Sequence, residues 1–253
     1  LLTQAIQGYE AFIARNAFSP LKDDAESALV DTAYTLARSL SQRMEDALGE
    51  EREALAEKLD TTLKGAIAKT GDLVAALEIN PDRTEAETRE FYDLLLNRGG
   101  MLLLLAKTQA EGTLRFQQAY DAFEKLASIA GEGSPYGLRA YIGIGDVFMA
   151  QGQPRDAADF YAFVTDIAIP NDPEIWAEAA KEMSPEEKQK RFIFVQLGTP
   201  GLIEALALSG DMQGACEQGL RFYNILQREG LELLPAYGDL ARLAVARVHV
   251  DAG

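Results

Sequence analysis

The chain has few of the residues that metal binding and catalysis use most. Its 253 residues include one cysteine, Cys216, and one histidine, His249. A single cysteine excludes an internal disulfide and a multi-cysteine metal cluster, and a single histidine excludes a multi-histidine site and leaves the commonest general base at one position. We therefore expect no metal, no cofactor and no catalytic residue.

Long hydrophobic runs are also missing. The longest purely apolar run, from Met101 to Ala106, is far shorter than the roughly 20 residues that cross a bilayer, so it predicts a buried helix. We expect no direct membrane insertion by this segment. The chain begins at Leu1 with no initiator methionine and no signal-like region, which is typical of a processed or excised segment and leaves the compartment open.

Positive charge is scarce. The chain has 24 Lys and Arg residues but 40 Asp and Glu residues, and the formal net charge is −16. This charge repels nucleic-acid phosphates and anionic lipid, so neither is an expected partner. The excess of acids is typical of a solvated surface that keeps the protein soluble, and the alternative is an acidic groove for a basic partner.

Acidic pairs and glycine motifs do not form a catalytic pattern. Neighbouring acids on a helix point apart and favour the helix N-terminus, and the glycine motifs lack the preceding strand or the lysine of a phosphate-binding loop. We interpret them as charged faces, helix contacts and helix boundaries. They are Asp23-Asp24, Glu50-Glu51, Glu186-Glu187, Gly143-x-Gly145 and Gly198-Thr199-Pro200-Gly201.

Apolar residues recur at three- and four-residue steps along nearly the whole chain, which predicts α-helices and no strand. The clearest stripe lies in the N-terminal part and predicts either two long helices that separate near Gly49 or one bent helix, of which we favour the two. It comprises Leu29, Ala33, Leu36, Leu40, Met44, Leu48, Leu55, Leu59, Leu63 and Ile67.

Glycine and proline mark the expected ends of helices. Ser184-Pro185-Glu186-Glu187 has the cap serine, the first-turn proline and the glutamate of a capping box, and Thr199-Pro200 predicts a second helix start. Further breaks are expected at Asn80-Pro81, Gly99-Gly100, Gly131 to Pro135 and Ile169 to Pro173.

Turn-like glycines recur about every 40 residues, with one longer interval between Gly152 and Gly210. They are Gly71, Gly112, Gly152, Gly210 and Gly253. This spacing predicts an array of antiparallel helical hairpins that cover one another's apolar faces. We expect a long-helix region over residues 1–97 and repeats over 98–253, with a helical insertion at about 170–199 and an incomplete C-terminal repeat from Leu240 to Gly253.

One repeat resembles a known family. Tyr141, Ile144-Gly145 and Phe148, then Gly152, Ala157, Tyr161 and Pro170, resemble the first helix, the turn and the second helix of a tetratricopeptide repeat. The resemblance is strongest from Tyr141 to Pro170 and weaker elsewhere between Arg98 and Gly253. It implies an α-solenoid that presents a concave surface to a peptide or protein.

With the first helix of each repeat lining that surface, six residues are expected to face the partner. They are Arg139, Ile142, Asp146, Met149, Glu204 and Leu208. The predicted function is a non-catalytic protein–protein interaction scaffold. One alternative is an architectural spacer or assembly segment of a larger protein, and another is an all-helical enzyme that uses carboxylates alone.

Overall fold

Residues 1–19, 21–108 and 112–233, with Ala244 and Ala246, are described in the computed structural model. Over these residues it contains ten principal α-helices and no strand, which confirms the all-α prediction. The helices are α1 (Leu2–Arg15), α2 (Lys22–Asp46), α3 (Gly49–Glu78), α4 (Glu85–Thr108), α5 (Gly112–Ala130), α6 (Pro135–Ala150), α7 (Pro154–Ala168), α8 (Pro173–Ala180), α9 (Pro185–Leu208) and α10 (Met212–Glu229).

The chain divides into two compact units, unit 1 (Leu1–Leu126) and unit 2 (Ala127–Gly253). Residues 97 and 98, where the sequence predicted a boundary, lie inside α4. That helix carries the apolar run from Met101 to Ala106, and five of those six side chains are buried, as the sequence predicted.

The long N-terminal stripe forms two helices, α2 and α3, which pack against each other. α2 ends at Asp46, and Gly49 begins α3 with a φ of +57°, a backbone conformation that favours glycine. The predicted separation near Gly49 is therefore confirmed, and a single bent helix is excluded. Leu48 departs from the predicted stripe because it lies in the short link between the helices and is exposed.

Three glycines predicted as breaks lie inside helices instead. Gly99 and Gly100 are in α4, where a Cβ would collide with the ring of Phe123 at Gly99 and with Tyr34 at Gly100. Gly71 is in α3, beneath the guanidinium of Arg98. The predictions at Gly99 and Gly100 were wrong because each glycine admits a neighbouring side chain, and tertiary packing outweighs the roughly 1 kcal/mol of helix propensity that glycine loses. A Cβ at Gly71 would meet Arg98 at an ordinary contact distance of 3.8 Å, so close packing does not require glycine there.

The turn glycines of unit 2 agree with their prediction. Gly152 separates α6 from α7 with a φ of +72°, and Gly210 separates α9 from α10 with a φ of +90°. Gly112 differs, since it is the first residue of α5 and residues 109–111, directly before it, lie outside the described residues. Gly253, His249 and most of the predicted C-terminal repeat are also outside them.

The predicted insertion contains α8 and the beginning of α9. Ser184 and Glu187 form the expected capping box at the start of α9. The helix start predicted at Thr199 was wrong, because α9 continues through Pro200 to Leu208. Close packing on both sides of the proline explains this, since Thr199 and Leu202 are buried and Gly198 contacts Thr165 of α7.

Among the described helices, α9 is the one with the length and hydropathy of a membrane span. Its most apolar 18-residue window has a mean hydropathy of 1.3, and 44% of that window is buried within the protein. α9 packs against α6, α7 and α10.

Candidate partner-binding surface

Tyr161 of α7 lies between two glycines from neighbouring helices. Its ring is almost fully buried, with Gly145 of α6 on one side and Gly201 of α9 on the other. A Cβ at Gly145 would be 2.7 Å from the ring, and one at Gly201 would be 2.6 Å away. Larger residues would therefore push the helices apart, so these two glycines let α6 and α9 approach the same tyrosine.

The hydroxyl of Tyr161 reaches Asp146 on α6. It donates a hydrogen bond to Asp146 Oδ1 across 2.5 Å. Burial raises the pKa of the Tyr161 hydroxyl well above its ordinary value, and the negative charge of Asp146, this hydrogen bond and the charge of Glu204 raise it further. Tyr161 therefore stays a neutral donor at physiological pH, flanked by one carboxylate from α6 and another from α9.

Three of the predicted partner-facing residues lie on one side of α6. Ile142, Asp146 and Met149 are spaced four and three residues apart, which places them on one helix face. All three are half-buried, and Ile142 and Met149 pack against the cluster that contains Tyr161 and Leu202. Leu206 of α9 packs there too, although the sequence did not single it out.

The predicted residues of α9 are more exposed than those of α6. Glu204 is exposed and close enough to Tyr161 for its charge to affect that hydroxyl. Leu208, the last residue of α9, is 65% exposed, as single large apolar side chains at a protein surface often are. The structure thus brings Ile142, Asp146, Met149 and Glu204 together around Tyr161.

Arg139 and Leu208 are not part of this cluster. Arg139 is exposed in the first half of α6, and the partly buried apolar side chains that pack against the Tyr161 cluster are Ile142, Phe148, Met149, Ala162 and Leu206. We refer to the face formed by Ile142, Asp146, Met149, Glu204 and Leu206 as the α6–α9 surface. The sequence did not reveal the part that Gly201 plays in it, because the glycine motif in which it lies resembled a helix boundary.

A second group of carboxylates lies where α2 packs against α4. Burial, the nearby charge of Asp93 and that of Glu90 raise the pKa of Asp31, while a hydrogen bond from Asn97 Nδ2 at 2.7 Å acts against them. Ser27 donates to Glu90 in the same group. These contacts join the two helices, and packing between α2 and α4 accounts for them.

In the part of the chain that the structure describes, no group of three or more His, Cys, Asp and Glu residues is arranged to hold a metal ion. Cys216 is half-buried near Ile203 and Ala215, in an apolar setting.

The comparisons with known proteins found no relative of this chain. No protein-family model, no curated protein and no solved structure matches the chain.

Proposed function

We propose that the chain is a non-catalytic interaction scaffold that binds a peptide or protein on the α6–α9 surface. The observation that carries this proposal is the position of Tyr161 between Gly145 and Gly201. It supports the proposal because carboxylates and half-buried apolar side chains of two helices lie near this one tyrosine. A face of this composition suits recognition by shape and charge.

The tetratricopeptide-like interpretation supports the same proposal. Helices α6 and α7 with the turn at Gly152 would be one repeat, and α9 and α10 with the turn at Gly210 would be the next. Two features favour it: Ala157 and Tyr161 are buried at the positions that the resemblance implies, and the first helices, α6 and α9, contact each other. In such an array the first helices line the binding face.

The chemistry of the α6–α9 surface favours a basic, amphipathic partner segment. Asp146 and Glu204 would attract lysine or arginine side chains, and the net charge of −16 would assist the encounter. Ile142, Met149 and Leu206 would contact the apolar side of the segment. Methionine adapts its shape to different partners because its side chain is unbranched and flexible.

Charge reversal at Glu204 tests the proposal with a defined probe. The probe is an 18-residue amphipathic Leu/Lys peptide, and the matching Leu/Glu peptide serves as its negative control. We expect Glu204→Arg to raise the Kd of the Leu/Lys peptide at least tenfold, measured by fluorescence anisotropy at physiological salt.

A matched variant separates local recognition from general attraction. Glu53→Arg makes the same change in net charge at an exposed position of α3 in unit 1. We expect it to change the Kd less than twofold. Equal weakening by both variants would contradict the proposal, because it would mean that the peptide senses only the overall negative charge.

An architectural role is the second candidate, and the long helices of unit 1 favour it. α2 and α3 have 25 and 30 residues and pack against each other, a combination that makes a stiff element. Sedimentation velocity of the chain with the Leu/Lys peptide and with lysate fractions discriminates the two roles. A monomer that sediments unchanged in every mixture would favour the spacer over the scaffold.

A further inference from the structure

The chain continues past α10 as a short segment that lies against α9. Gly230, directly after α10, has a φ of +60°, a backbone conformation that favours glycine. Leu231 and Leu233 are half-buried and pack against the apolar cluster that α8, α9 and α10 share, while Glu232 between them is exposed. This alternation of inward and outward side chains is typical of an extended peptide. We refer to residues 231–233 as the α9-bound segment.

Two glutamines of α9 bind the backbone of this segment. Gln189 Oε1 accepts a hydrogen bond from the N–H of Glu232 at 3.0 Å, and Gln189 Nε2 donates one to the carbonyl oxygen of the same residue at 2.8 Å. Gln196 Nε2 also donates to that carbonyl oxygen, at 3.4 Å. The Gln189 carboxamide thus pairs with both polar backbone groups of one residue, as a neighbouring β-strand would.

The two glutamines lie on the same side of α9. They are seven residues apart, a spacing that returns to the same helix face. Gln196 is fully buried, although glutamine is mostly found exposed, and a buried carboxamide is costly unless it is hydrogen-bonded. This face of α9 is therefore suited to holding a segment of main chain.

The same contacts define which segments the site can hold. Hydrogen bonds to the main chain leave the middle side chain free, so any residue except proline fits at the position of Glu232. Specificity comes from the alternate positions, where Leu231 and Leu233 enter the apolar cluster. The site therefore recognises an extended segment with leucine, any other residue and leucine.

The connection between this segment and the rest of its own chain is short. Gly230 is the one residue between the end of α10 and Leu231. Hydrogen bonds from the two glutamines and the packing of two half-buried leucines hold the segment in place. Segments that few contacts hold open more readily than the core, and a short hinge favours exchange of such a segment between copies of a chain.

We propose that this site also binds residues 231–233 of a second copy of the chain, so that two copies associate by exchanging the segment. The occupant seen in the structure supports this choice of partner, because each copy carries the same Leu231-Glu232-Leu233. An exchanged segment would make the same hydrogen bonds and the same leucine contacts. The inference does not depend on binding at the α6–α9 surface, since it uses other residues of α9.

A peptide with the sequence of residues 230–233, acetyl-Gly-Leu-Glu-Leu-amide, tests the site. The receptor is the 253-residue chain with Leu231→Ser and Leu233→Ser, which loosen its own segment. We expect saturable shifts of the Gln189 side-chain amide signals in NMR, with a Kd on the order of 1 mM. A peptide with an N-methylated glutamate cannot donate to Gln189 and should bind at least tenfold more weakly. Equal binding of both peptides, or no saturation up to about 10 mM, would overturn the proposal.

A mixture of two variants tests the exchange itself. The ¹⁵N-labelled receptor supplies an open site, and an unlabelled Gln189→Ala chain supplies a loosened segment. We expect this chain, at about 1 mM, to shift the same Gln189 signals as the peptide does. An unlabelled chain with all three substitutions should not shift them. Shifts with the peptide but none with the Gln189→Ala chain would refute the exchange, and equal shifts with both unlabelled chains would show that the copies meet elsewhere.

The wild-type chain provides a measurement that does not require any variant to fold. Small-angle X-ray scattering up to about 1 mM should show a dimer fraction that rises with concentration. Gln227→Ala, at an exposed position of α10, should leave that fraction unchanged, whereas Gln189→Ala should lower it at least twofold. A wild-type chain that stays monomeric over the whole range would contradict the exchange.

Discussion

Trp176 Nε1 donates a hydrogen bond to Glu229 Oε1 across 2.9 Å, joining α8 to the last residue of α10. Trp176 is the one tryptophan of the chain and is almost fully buried. Lys188 Nζ lies 3.4 Å from Glu229 Oε2, and Arg228 Nε lies 2.9 Å from Oε1. One carboxylate thus holds α8, the start of α9 and the end of α10 together.

Removal of this carboxylate is expected to destabilise unit 2. Glu229→Ala would leave the indole N–H of a buried tryptophan without an acceptor, which costs about 1–3 kcal/mol of unfolding free energy. Glu229→Gln keeps an acceptor and should cost less. Urea unfolding followed by Trp176 fluorescence measures both, and an equal loss in the two variants would show that the hydrogen bond is not what stabilises α8.

Because of the Glu229 carboxylate, we expect the free energy of unfolding to depend on pH in the acidic range. Burial acts to raise the pKa of Glu229, but hydrogen bonds from Trp176, Arg228 and Lys188 outweigh it and hold the pKa below the ordinary value of 4.5. A lowered folded-state pKa contributes stability that is fully present above pH 4.5 and is lost as pH falls through the folded pKa.

The unfolding free energies of the wild type and of Glu229→Gln should therefore converge below pH 4.5. Urea titrations at steps from pH 7 to pH 3 check this. Glu182→Gln, at an exposed position before α9, makes the same change in net charge and is the control. A gap between wild type and Glu229→Gln that stays constant across this range would argue against the lowered pKa.

Glycine-to-alanine substitutions should have opposite effects at two helical positions. Gly145→Ala would place a Cβ 2.7 Å from the ring of Tyr161, which Gly201 confines from the other side, so we expect a net loss of about 1–3 kcal/mol. Gly65→Ala in α3 meets no atom within 4 Å and should gain up to about 1 kcal/mol from helix propensity. Thermal and urea unfolding of both variants measure the difference, and a stabilised Gly145→Ala protein would contradict the close packing around Tyr161.

Tyr161 should not ionise in the folded protein. Because burial and the neighbouring Asp146 raise its pKa, the absorbance change at 295 nm between pH 9 and pH 11 should be the same for wild type and Tyr161→Phe while both remain folded. The raised pKa also means that this tyrosine favours folding below its unfolded-state pKa of about 10 and favours it less as pH rises above that value. A smaller absorbance change in Tyr161→Phe would show that the hydroxyl is accessible.

Local sequence signals predicted the ends of helices correctly where each end is formed by residues that are neighbours in the chain. Ser184 and Glu187 cap α9 with their own side chains, and Gly152 and Gly210 adopt the positive φ that ends a helix turn. These interactions involve residues only a few positions apart, so they can be predicted without knowledge of the fold. The same holds for the recurrence of apolar residues at three- and four-residue steps, which places Leu59 and Leu63 in the core.

The signals that failed depend on residues far apart in the chain. Gly71, Gly99 and Thr199-Pro200 have the composition of helix ends, yet each lies inside a helix where a side chain from another helix contacts it or its neighbours. The identity of that side chain, such as Arg98 over Gly71 or Phe123 against Gly99, is not encoded near the glycine. Propensity differences of about 1 kcal/mol are too small to overrule such packing.

The sequence by itself determined that the described chain is all helical, because helical periodicity and capping are local properties. It also determined the acidic balance of the molecule and the scarcity of histidine and cysteine. Only the tertiary structure decided which glycines end helices and which lie inside a helix and make room for a side chain from another helix. It also decided that Asp146 and Glu204 lie close to one buried tyrosine and that Arg98 lies over Gly71, because these contacts bring together residues from separate helices.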